Sequence, residues 1–385
     1  AIQRLAAAPT WRRRPRVGWL TTWNTRCGIA NYSRFLASAF TADRMAVFAA
    51  SASEFIAEDE DYVTRCWRED VNLVDPEAIM REIEASGIEA LVIQYNFGFF
   101  SLAALGSIVR RLRERGVPSY VFLHSTADVD RADLHISLRQ GVHDLKLAER
   151  LVVHGLADVN RLKSFGLVDN VLMFPHGVLA TPAPPSAAER ERRGLHGKRV
   201  VATYGFMLPH KGAQQLIRAF SRLAGLDASL HLLLVCALYP NDLSVHEKSQ
   251  CETLIAELGL AQRVTMVTDF LPDAESLAWL QMAELIVYPY QFTQESSSAA
   301  VRGGLAAGRP VAVTPLSIFD DVADAVHKLP GTGEAELAEG IWALLRDKSA
   351  LEALRERGQN WCEPRRWPKV SARLLNIIDG AANDL

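Results

Sequence analysis

The sequence predicts an α/β fold with two Rossmann-like, doubly wound domains. Three observations support this prediction: short apolar runs alternate with helical patterns, the alternation occurs twice, and a segment rich in proline, alanine and charge separates the two occurrences. Alternation of this kind is typical of βαβ units that build a parallel sheet. A chain of 385 residues is long enough to bury two such cores.

The first half of the chain contains six apolar runs that we interpret as strands. They are predicted at 17–20, 46–50, 90–94, 120–123, 151–153 and 171–174. Helical patterns between them predict helices near 30–40, 76–86, 101–115, 131–148 and 156–165. This half forms the predicted N-terminal Rossmann-like domain, over residues 1–180.

The pattern restarts after a predicted linker at 181–197 and gives a second Rossmann-like domain over 198–360. Its strands are predicted at 199–204, 230–236, 264–267, 285–288 and 311–313, and its helices near 212–224, 246–258, 274–283, 296–307 and 335–346. The tail, 361–385, is expected to be a helix that crosses back to the first domain. Ligands of such sheets bind outside the carboxyl ends of the strands, so two domains that face one another predict a site in a central cleft.

Bulk composition excludes several classes of protein. Hydrophobic residues make up 49% of the chain and charged residues 23%, as in ordinary globular proteins, and the net charge of −3 argues against a nucleic-acid binder. The five cysteines are scattered without a CxxC pair, which favours reduced thiols and a cytoplasmic location over a disulfide framework or zinc site. The longest apolar run, 230–239, is too short to span a bilayer.

Two features of the sequence suggest partners beyond a small-molecule ligand: a membrane surface and further domains of a longer chain. Four arginines share one predicted helix: Arg110, Arg111, Arg113 and Arg115. They could approach an anionic membrane, which would place the protein at the inner face of the membrane, or they could simply face solvent. The chain begins at Ala1 rather than methionine, which indicates processing or, as we favour, a piece of a longer protein with additional domains.

The segment 288–310, YPYQFTQESSSAAVRGGLAAGRP, is the most informative part of the sequence. It reads as strand end, polar loop, helix and the start of another strand. The loop brings one carboxylate, Glu295, together with the amides of Ser296, Ser297 and Ser298 at a predicted helix N-terminus, which favours anions. A carboxylate beside an anion site predicts a ligand that carries both phosphate and hydroxyl groups, as nucleotide sugars do. Arg302 is either a second cation for that phosphate or an exposed helix residue.

A second candidate, YGFMLPHKG at 204–212, directly follows the first strand of the second domain. Gly205 and Phe206 open this loop and Lys211 closes it before the next helix. A lysine at such a loop can neutralise a diphosphate as a point charge, although the P-loop pattern GxxxxGK[ST] is absent. The loop alone would favour a surface lysine, but together with the Glu295 loop it favours a ligand contact.

Two motifs in the first half also follow predicted strands. In TTWNTRCGIANY, Gly28 precedes a helix and permits close approach of a ligand to the backbone, although an ordinary turn explains a single glycine equally well. His124 ends the strand YVFLH, where a structural role and a ligand role are equally supported. Asp128 and Asp130 form a DxD that could hold a metal or cap a helix, and we favour the cap.

These residues resemble glycosyltransferase family 4, the large retaining GT-B family with members in bacterial glycan and polysaccharide biosynthesis. The resemblance depends most on YGFMLPHKG and on the Glu295 segment ending in GLAAGRPVAV. CGIANYS, His124 and FPHGV at 174–178 fit the same pattern, and the resemblance covers nearly the whole chain.

The resemblance implies a hexosyltransferase that needs no metal or other cofactor and moves a sugar, with retention, from a nucleotide sugar to a glycan or a lipid-linked acceptor. GDP-mannose is the first donor to expect, as in a mannosyltransferase, and a UDP-sugar the next. The first domain would lie on the acceptor side and the second would bind the nucleotide sugar. Lys211 would contact the diphosphate and Glu295 the sugar hydroxyls, while the loop around Gly28 would approach the phosphates and His124 the transferred sugar.

Two departures from the family pattern concern the nucleotide. Where relatives often carry arginine, this chain has Phe206, so that Arg302 or Arg26 would have to supply the missing cation. Where relatives carry a second glutamate, which holds the ribose, this chain has Gly303. Another acid, Glu275 or Asp269, is a candidate replacement. These departures motivate an alternative function, a turnover-deficient binding module within a larger assembly protein, and a nucleotide-sugar epimerase is a third.

Overall fold

The computed structural model describes residues 14–70, 74–131, 134–293, 295 and 297–381. The chain divides into two compact units. Unit 1 comprises the described residues up to Val153, Val159–Phe174 and those from Pro368 onward, whereas unit 2 comprises His154–Asp158 and Pro175–Trp367. Each unit is built around a parallel sheet with helices, so the predicted fold class with two Rossmann-like domains is confirmed.

The described residues of unit 1 contain a seven-stranded parallel sheet and a separate hairpin. The strands are β1 (Val17–Thr21), β2 (Met45–Ser51), β3 (Val63–Arg68), β4 (Ala90–Tyr95), β5 (Ser119–Leu123), the hairpin strands β6 (Val129–Arg131) and β7 (Leu134–Ile136), β8 (Arg150–Val153) and β9 (Val171–Met173). The sheet order is β3-β2-β1-β4-β5-β8-β9. The central strands β1, β4 and β5 are buried along their whole length, as expected of parallel strands covered on both faces.

Helices connect these strands. They are α1 (Gly28–Leu36), α2 (Pro76–Ser86), α3 (Leu102–Glu114), α4 (Val142–Leu145) and α5 (Leu156–Ser164). Local sequence fixes several ends: Asp75 caps α2 by accepting from the amide of Glu77, and Ser101 caps α3 by accepting from the amide of Ala104.

The described residues of unit 2 form a six-stranded parallel sheet in the order β12-β11-β10-β13-β14-β15. The strands are β10 (Arg199–Phe206), β11 (Leu230–Ala237), β12 (Val264–Val267), β13 (Leu285–Tyr288), β14 (Val311–Val313) and β15 (His327–Lys328). The helices are α6 (Ala187–Arg192), α7 (Ala213–Ala224), α8 (Asp242–Glu257), α9 (Asp273–Leu280), α10 (Ala299–Ala306), α11 (Glu334–Arg346) and α12 (Lys348–Cys362).

Both faces of the unit 2 sheet are covered. Side chains alternate along β10, so that Val200 and Ala202 join the apolar cluster with α9, α10 and α12, whereas Val201 joins the cluster with α7 and α11. The chain then ends with α13 (Trp367–Ala381), which returns to unit 1 from Pro368 onward. There Ser371 donates to the carbonyl of Leu36 at 2.5 Å and accepts from the amide of Ala39 at 2.9 Å.

Each sheet has a point where the strand order reverses, which is where doubly wound folds bind ligands. In unit 1, β1 pairs with both β2 and β4, so that the reversal lies between β1 and β4. In unit 2 it lies between β10 and β13 for the same reason. The loops that follow these four strands are therefore the first places to look for a site.

The predicted helix at 131–148 is wrong. Val129–Arg131 and Leu134–Ile136 pair as an antiparallel hairpin, followed by a 3-10 turn and the single turn of α4. Asp128 therefore precedes a strand and does not cap a helix. Strand β3 was also missed, because its residues, VTRCWR, are half-exposed at the sheet edge and form no apolar run.

The arginines of α3 do not form a bare basic face. Arg110 pairs with Asp144, Arg111 with Glu77 and Glu84, and Arg115 with Glu84. Neighbouring carboxylates thus neutralise three of the four cations proposed for membrane contact. In the part of the chain that the structure describes, no helix has the length and apolar character needed to cross a bilayer.

Candidate active site

Lys211 and Glu295 come from the two loops that flank the strand-order reversal of unit 2. Lys211 ends a 3-10 helix, Pro209–Lys211, that follows β10, and Glu295 lies in the loop after β13. The Nζ of Lys211 donates to Oε2 of Glu295 at 3.0 Å. Because the Glu295 side chain is 56% exposed, the pair contributes only about 0.2–1 kcal/mol. An anionic ligand can therefore compete for the lysine.

Tyr290 connects the lysine to the start of α10. Its ring lies under the ammonium group, with Lys211 Nζ 4.1 Å from the ring centroid. Its hydroxyl shares a hydrogen bond of 3.1 Å with Oγ of Ser298. The Tyr290 side chain is 1% exposed, so its rotamer is fixed by the surrounding core. The ring thus holds the lysine and the first turn of the helix in one arrangement.

Gly212 explains how the lysine loop comes so close to β13. Its φ is +77°, in the left-handed region, and a Cβ at this position would lie 1.9 Å from the carbonyl oxygen of Pro289. Only glycine satisfies both conditions. Next to this close contact, the backbone N–H of Gln291 donates to the carbonyl of His210 at 2.9 Å.

The two basic groups of this loop differ in protonation. Burial lowers the pKa of Lys211, but interactions with Tyr290 and Glu295 outweigh it, so that the net direction is upward and the lysine is charged. Burial lowers the pKa of His210, and the positive charge of Lys211 lowers it further. The loop therefore presents one cation beside a neutral imidazole at neutral pH.

The helix behind Glu295 begins later than predicted. Ser298 is the N-cap of α10, and its Oγ accepts from the amide of Val301 at 3.3 Å. Ser297 donates through its hydroxyl to Oδ2 of Asp321 at 3.0 Å. Ser296 lies outside the described residues. The hydroxyls of Ser297 and Ser298 thus serve the fold, and the amides of the first turn of α10 are what this helix offers to an anion.

Arg302 is not an exposed helix residue, and its guanidinium is already paired with protein groups. Its side chain is 4% exposed, its guanidinium pairs with Asp321, and its Nη1 donates to the carbonyl of Ser298 at 2.6 Å. The guanidinium therefore compensates a buried carboxylate and anchors the loop before α10. Asp321, in the 3-10 helix Ser317–Ala325, was not predicted to have this role.

Phe206 brings an aromatic group to the end of β10, at the position where the resemblance leads us to expect an arginine. Its ring stacks on that of Phe270, with centroids 6.1 Å apart, and meets the edge of Tyr239 at 5.1 Å. The preceding Gly205 lies beside α10, since a Cβ there would contact Ala300 at 3.5 Å. The residues at this strand end thus provide an apolar surface.

The structure also explains why residue 303 is a glycine. A Cβ at this position would lie 2.8 Å from Cε1 of Tyr204, so the tyrosine ring occupies the space that a larger residue would need. A glutamate at position 303 would have to displace this partly buried ring. The candidate replacements, Asp269 and Glu275, are both exposed, the first after β12 and the second in the first turn of α9.

In unit 1, Gly28 and His124 both follow strands at or beside the reversal point. Gly28 is the first residue of α1, and no atom lies within 4 Å of a Cβ built on it. Internal packing therefore does not require glycine there. His124 follows β5, with its Nε2 2.6 Å from Oε1 of Gln94 on β4 and its ring edge-on to Tyr32 at 5.1 Å between centroids.

Asp130 of the DxD pairs with a histidine across the hairpin. His135 Nδ1 lies 2.7 Å from Oδ1 of Asp130, and its Nε2 lies 3.9 Å from Oδ2 of Asp128. Over the described ranges of the chain, no group of three or more histidine, cysteine, aspartate and glutamate side chains has the geometry of a metal site.

Comparison with known proteins identifies the class to which this fold belongs. Residues 186–361, which contain Lys211 and Glu295, match the family model Glycosyl transferases group 1. The match covers somewhat less than half of the chain. Comparison with curated protein sequences gives no match.

Solved structures show the same fold over almost the whole chain. HepE of Anabaena, in complex with UDP and glucose, superposes with a TM-score of 0.73 at 13% identity, covering 94% of this chain and 99% of its own. Sucrose-phosphate synthase of Thermosynechococcus elongatus gives 0.75 at 16% identity, with 97% and 100% covered. A UDP-forming α,α-trehalose-phosphate synthase of Burkholderia vietnamiensis gives 0.73 at 12% identity, with 97% and 99% covered. The predicted GT-B fold is thus confirmed.

Proposed function

We propose that this protein is a retaining glycosyltransferase that moves a sugar from a nucleotide sugar to a glycan or a lipid-linked acceptor. The observation that carries the proposal is the contact between Lys211 and Glu295. It puts a cation and a carboxylate side by side at the strand-order reversal of a doubly wound sheet, within the segment that matches Glycosyl transferases group 1. The cation can bind a diphosphate, and the carboxylate can accept hydrogen bonds from sugar hydroxyls.

In the proposed reaction, the bond between the anomeric carbon and the diphosphate oxygen breaks while the acceptor oxygen forms its bond on the same face. Positive charge develops on the sugar and negative charge on the leaving diphosphate. Lys211 and the first-turn amides of α10 stabilise the leaving group, each contact being worth about 10²–10³ in rate. The acceptor proton passes to the departing phosphate oxygen. This route needs no second carboxylate as nucleophile, and we propose that it needs no metal.

The donor is proposed on two grounds that lead to different first choices. The resemblance of the lysine loop favours GDP-mannose. The solved structures that share the fold include proteins described with UDP, UDP-glucose or UDP formation, which favours a UDP-sugar. GDP-mannose and UDP-glucose are therefore the two donors to compare first.

The test measures nucleotide released from each donor, with Lys211→Ala beside the wild type. We expect a loss of about 100-fold or more in kcat/KM for Lys211→Ala. Lys248→Ala is the matched control. Lys248 also pairs with a glutamate, Glu252, but this pair lies on α8 and is not part of the proposed site. Equal turnover by Lys211→Ala and wild type would overturn the assigned role of Lys211.

A second pair of variants tests the carboxylate. Glu295→Gln keeps the size of the side chain but weakens its hydrogen bonds to sugar hydroxyls. We therefore expect slower transfer with little change in the affinity for free nucleoside diphosphate. Glu252→Gln is its matched control on α8. If Glu295→Gln weakens the binding of free nucleoside diphosphate as much as it slows transfer, the assigned contact between Glu295 and the sugar is wrong.

Two observations favour a second candidate function, a transferase-like module that binds nucleotide sugars without turnover. Tyr204 fills the place of the ribose-binding glutamate, and Phe206 replaces a cation with an aromatic ring. Calorimetry and nucleotide release on the same sample separate the two candidates. Binding of a nucleotide sugar without release in the presence of any acceptor would favour the module.

A further inference from the structure

Arg309 lies at the edge of the unit 2 sheet opposite to the loops of the candidate active site. It precedes Pro310 and β14, at the amino end of that strand, whereas Lys211 and Glu295 follow the carboxyl ends of β10 and β13. The strands of this sheet pair in parallel, so their amino ends share one edge and their carboxyl ends the other. The side chain of Arg309 is half-buried. It therefore belongs to a different part of unit 2 from the site already described.

Gly308 brings the segment before β14 against helix α12. Its φ is +70°, in the left-handed region, and a Cβ there would lie 3.3 Å from Nε2 of Gln359. Arg355 lies one helical turn before Gln359 in α12, so the two side chains share one face of the helix. That face meets the chain at Gly308, which places Arg355 beside Arg309.

Arg190 reaches the same edge of the sheet from α6. Its Nη1 donates to the carbonyl of Met282 at 3.0 Å, and its Nη2 donates to the carbonyl of Lys198 at 3.3 Å. These carbonyls precede β13 and β10, and β13 is the hydrogen-bonded neighbour of β14. The guanidinium of Arg190 is thus held at the amino ends of the strands next to Arg309.

Two of these three cations lack a counter-charge among the described residues. In that part of the chain, the guanidinium of Arg309 has no hydrogen-bond or ion-pair partner. The partners of Arg190 are backbone carbonyls and Sδ of Met282, none of them charged. Arg355 does pair with a carboxylate, because its Nε donates to Oε2 of Glu352 at 2.9 Å.

Nearby acids do not supply the missing charge, because they pair with other cations. Glu189, which precedes Arg190 in α6, pairs with Arg193 at 3.0 Å. Glu284, which precedes β13, pairs with Arg199 at 2.7 Å. The two cations without a carboxylate therefore stay uncompensated by these neighbours.

The other two arginines also repel Arg309. Burial lowers the pKa of Arg309, and the positive charges of Arg190 and Arg355 lower it further. Burying a charge without a partner is unfavourable, and arginine cannot avoid this cost by losing its proton at neutral pH. A bound anion would compensate both the burial and the repulsion.

The number of uncompensated cations indicates the kind of anion. A phosphate monoester carries a charge of about −1.5 to −2 at pH 7, which matches two cations, whereas a carboxylate carries one negative charge. The planar guanidinium also fits phosphate oxygens through two parallel N–H groups. The arrangement thus favours a phosphate monoester over a carboxylate.

We propose that Arg309, Arg190 and Arg355 form a second anion site, which binds the phosphate group of a small phosphorylated molecule. The site lies outside the amino ends of the strands, whereas Lys211 and Glu295 lie outside the carboxyl ends. A phosphate held there connects α6, α12 and the start of β14. The proposal does not depend on the glycosyltransferase function, since phosphate binding at Arg309 is measured without donor or acceptor.

The first experiment titrates inorganic phosphate into the full chain by calorimetry at constant ionic strength. Lys211→Ala is the background, because it removes the cation proposed for the diphosphate at the other edge of the sheet. Phosphate should still bind to this variant, and adding Arg309→Gln should weaken the binding by about 10- to 100-fold, the value of a charge-assisted hydrogen bond. Adding Arg222→Gln instead, which removes the same charge from an exposed pair with Glu334, should leave the affinity unchanged.

Two outcomes of this titration would overturn the proposal. One is that Lys211→Ala binds no phosphate, which would assign any binding by the wild type to the site of Lys211. The other is that Arg309→Gln and Arg222→Gln weaken binding equally, which would show an effect of net charge and not of a site.

The second experiment separates an anion site from an arginine that serves the fold, in the same Lys211→Ala background. Arg309→Met keeps an apolar stem and removes the charge, so without phosphate its urea midpoint should equal or exceed that of the background protein. Phosphate at about ten times its Kd should lower the unfolding constant of the background protein about 11-fold, and that of Arg309→Met much less. A lower midpoint of Arg309→Met in phosphate-free buffer, or an equal gain of both proteins from phosphate, would contradict the proposal.

Two further probes define the ligand. Acetate should bind at least about tenfold more weakly than phosphate at the same ionic strength, because it offers one charge. Vesicles that contain phosphatidic acid present a phosphate monoester in a membrane, and we expect wild type and Arg309→Gln to sediment with them equally. Equal affinity for acetate and phosphate, or sedimentation that is lost only in Arg309→Gln, would contradict the assignment to a small phosphorylated molecule.

Discussion

The ammonium nitrogen of Lys211 lies 4.1 Å from the centroid of the Tyr290 ring. The same tyrosine shares a hydrogen bond with Ser298, the N-cap of α10. One buried ring thus connects the cation proposed for the diphosphate to the helix whose amides face the same charge. Because the ring is buried and hydrogen-bonded, it fixes these groups relative to one another, which lowers the cost of ordering them for a ligand.

The first prediction concerns this ring. Tyr290→Leu should weaken the binding of a nucleoside diphosphate by about 2- to 30-fold, because a partly desolvated cation–π contact is worth about 0.5–2 kcal/mol and the lysine loses its fixed position. Tyr290→Phe keeps the ring face and loses only the hydroxyl, so it should stay within about threefold of the wild type. Calorimetry measures both. Equal affinities in the two variants would show that the ring face does not matter.

The second prediction concerns the buried pair of Arg302 and Asp321. Asp321→Ala leaves a buried guanidinium without its counter-charge and removes the acceptor of Ser297, so unfolding should become easier by about 3–5 kcal/mol. Asp320→Ala, one residue earlier, removes only the exposed partner of Lys328 and should cost less than about 1 kcal/mol. Urea unfolding compares the two. Similar midpoints in both variants would contradict the anchoring role of the buried pair.

The third prediction concerns Gly212. Gly212→Ala puts a methyl group 1.9 Å from the carbonyl oxygen of Pro289 at a left-handed φ, so the loop must move away from β13. We expect a loss of more than about 1 kcal/mol in the free energy of unfolding, together with weaker binding of nucleoside diphosphate, because Lys211 moves with the loop.

Gly28→Ala is the stability control for that variant. Nothing lies within 4 Å of its added Cβ, so the free energy of unfolding should stay within about 0.5 kcal/mol of the wild type. If a ligand approaches the backbone at Gly28, transfer should fall nevertheless. A stable Gly28→Ala protein with normal transfer would remove Gly28 from the site, and an undisturbed Gly212→Ala protein would contradict the steric argument.

The fold and the proximity of the Lys211 and Glu295 loops could be predicted because they depend on local patterns and on strand order. Apolar runs gave the main strands, and parallel strands beside a reversal point bring their following loops together. Arg302 could not be predicted in the same way. At helical spacing from Glu295 it reads as an exposed cation, and only the fold brings Asp321, from a separate 3-10 helix, against it.

Two other features escaped the sequence because their context is tertiary. Tyr290 lies beyond the strand predicted at 285–288, at the start of the polar loop, and only its distance to Lys211 shows its role. Gln94 did carry a signal, a polar residue inside a buried apolar strand, but its contact with His124 depends on the neighbouring strand β5, which His124 follows. The pairing of Val129–Arg131 with Leu134–Ile136 also depends on tertiary context, because short segments with charged residues suit a helix as well as a strand.

The last prediction concerns His231, a core residue on β11. Its side chain is 3% exposed and its Nε2 lies 2.8 Å from Oγ1 of Thr265. Burial, with Lys198 and Arg263 nearby, lowers the pKa of His231 to about 4, from an ordinary value near 6.5. Between these values the unfolded chain binds a proton that the folded chain does not.

The sign of the pH effect follows from that difference. The free energy of unfolding should be unaffected by His231 above about pH 6.5 and should fall as the pH decreases from 6.5 towards 4, by about 3 kcal/mol in total. His231→Gln, which can still bond to Thr265, should remove this part of the pH dependence. His196→Gln should not, because His196 is exposed. Urea unfolding at pH 7, 6 and 5 measures the three proteins, and identical slopes in wild type and His231→Gln would show that His231 is not the group responsible.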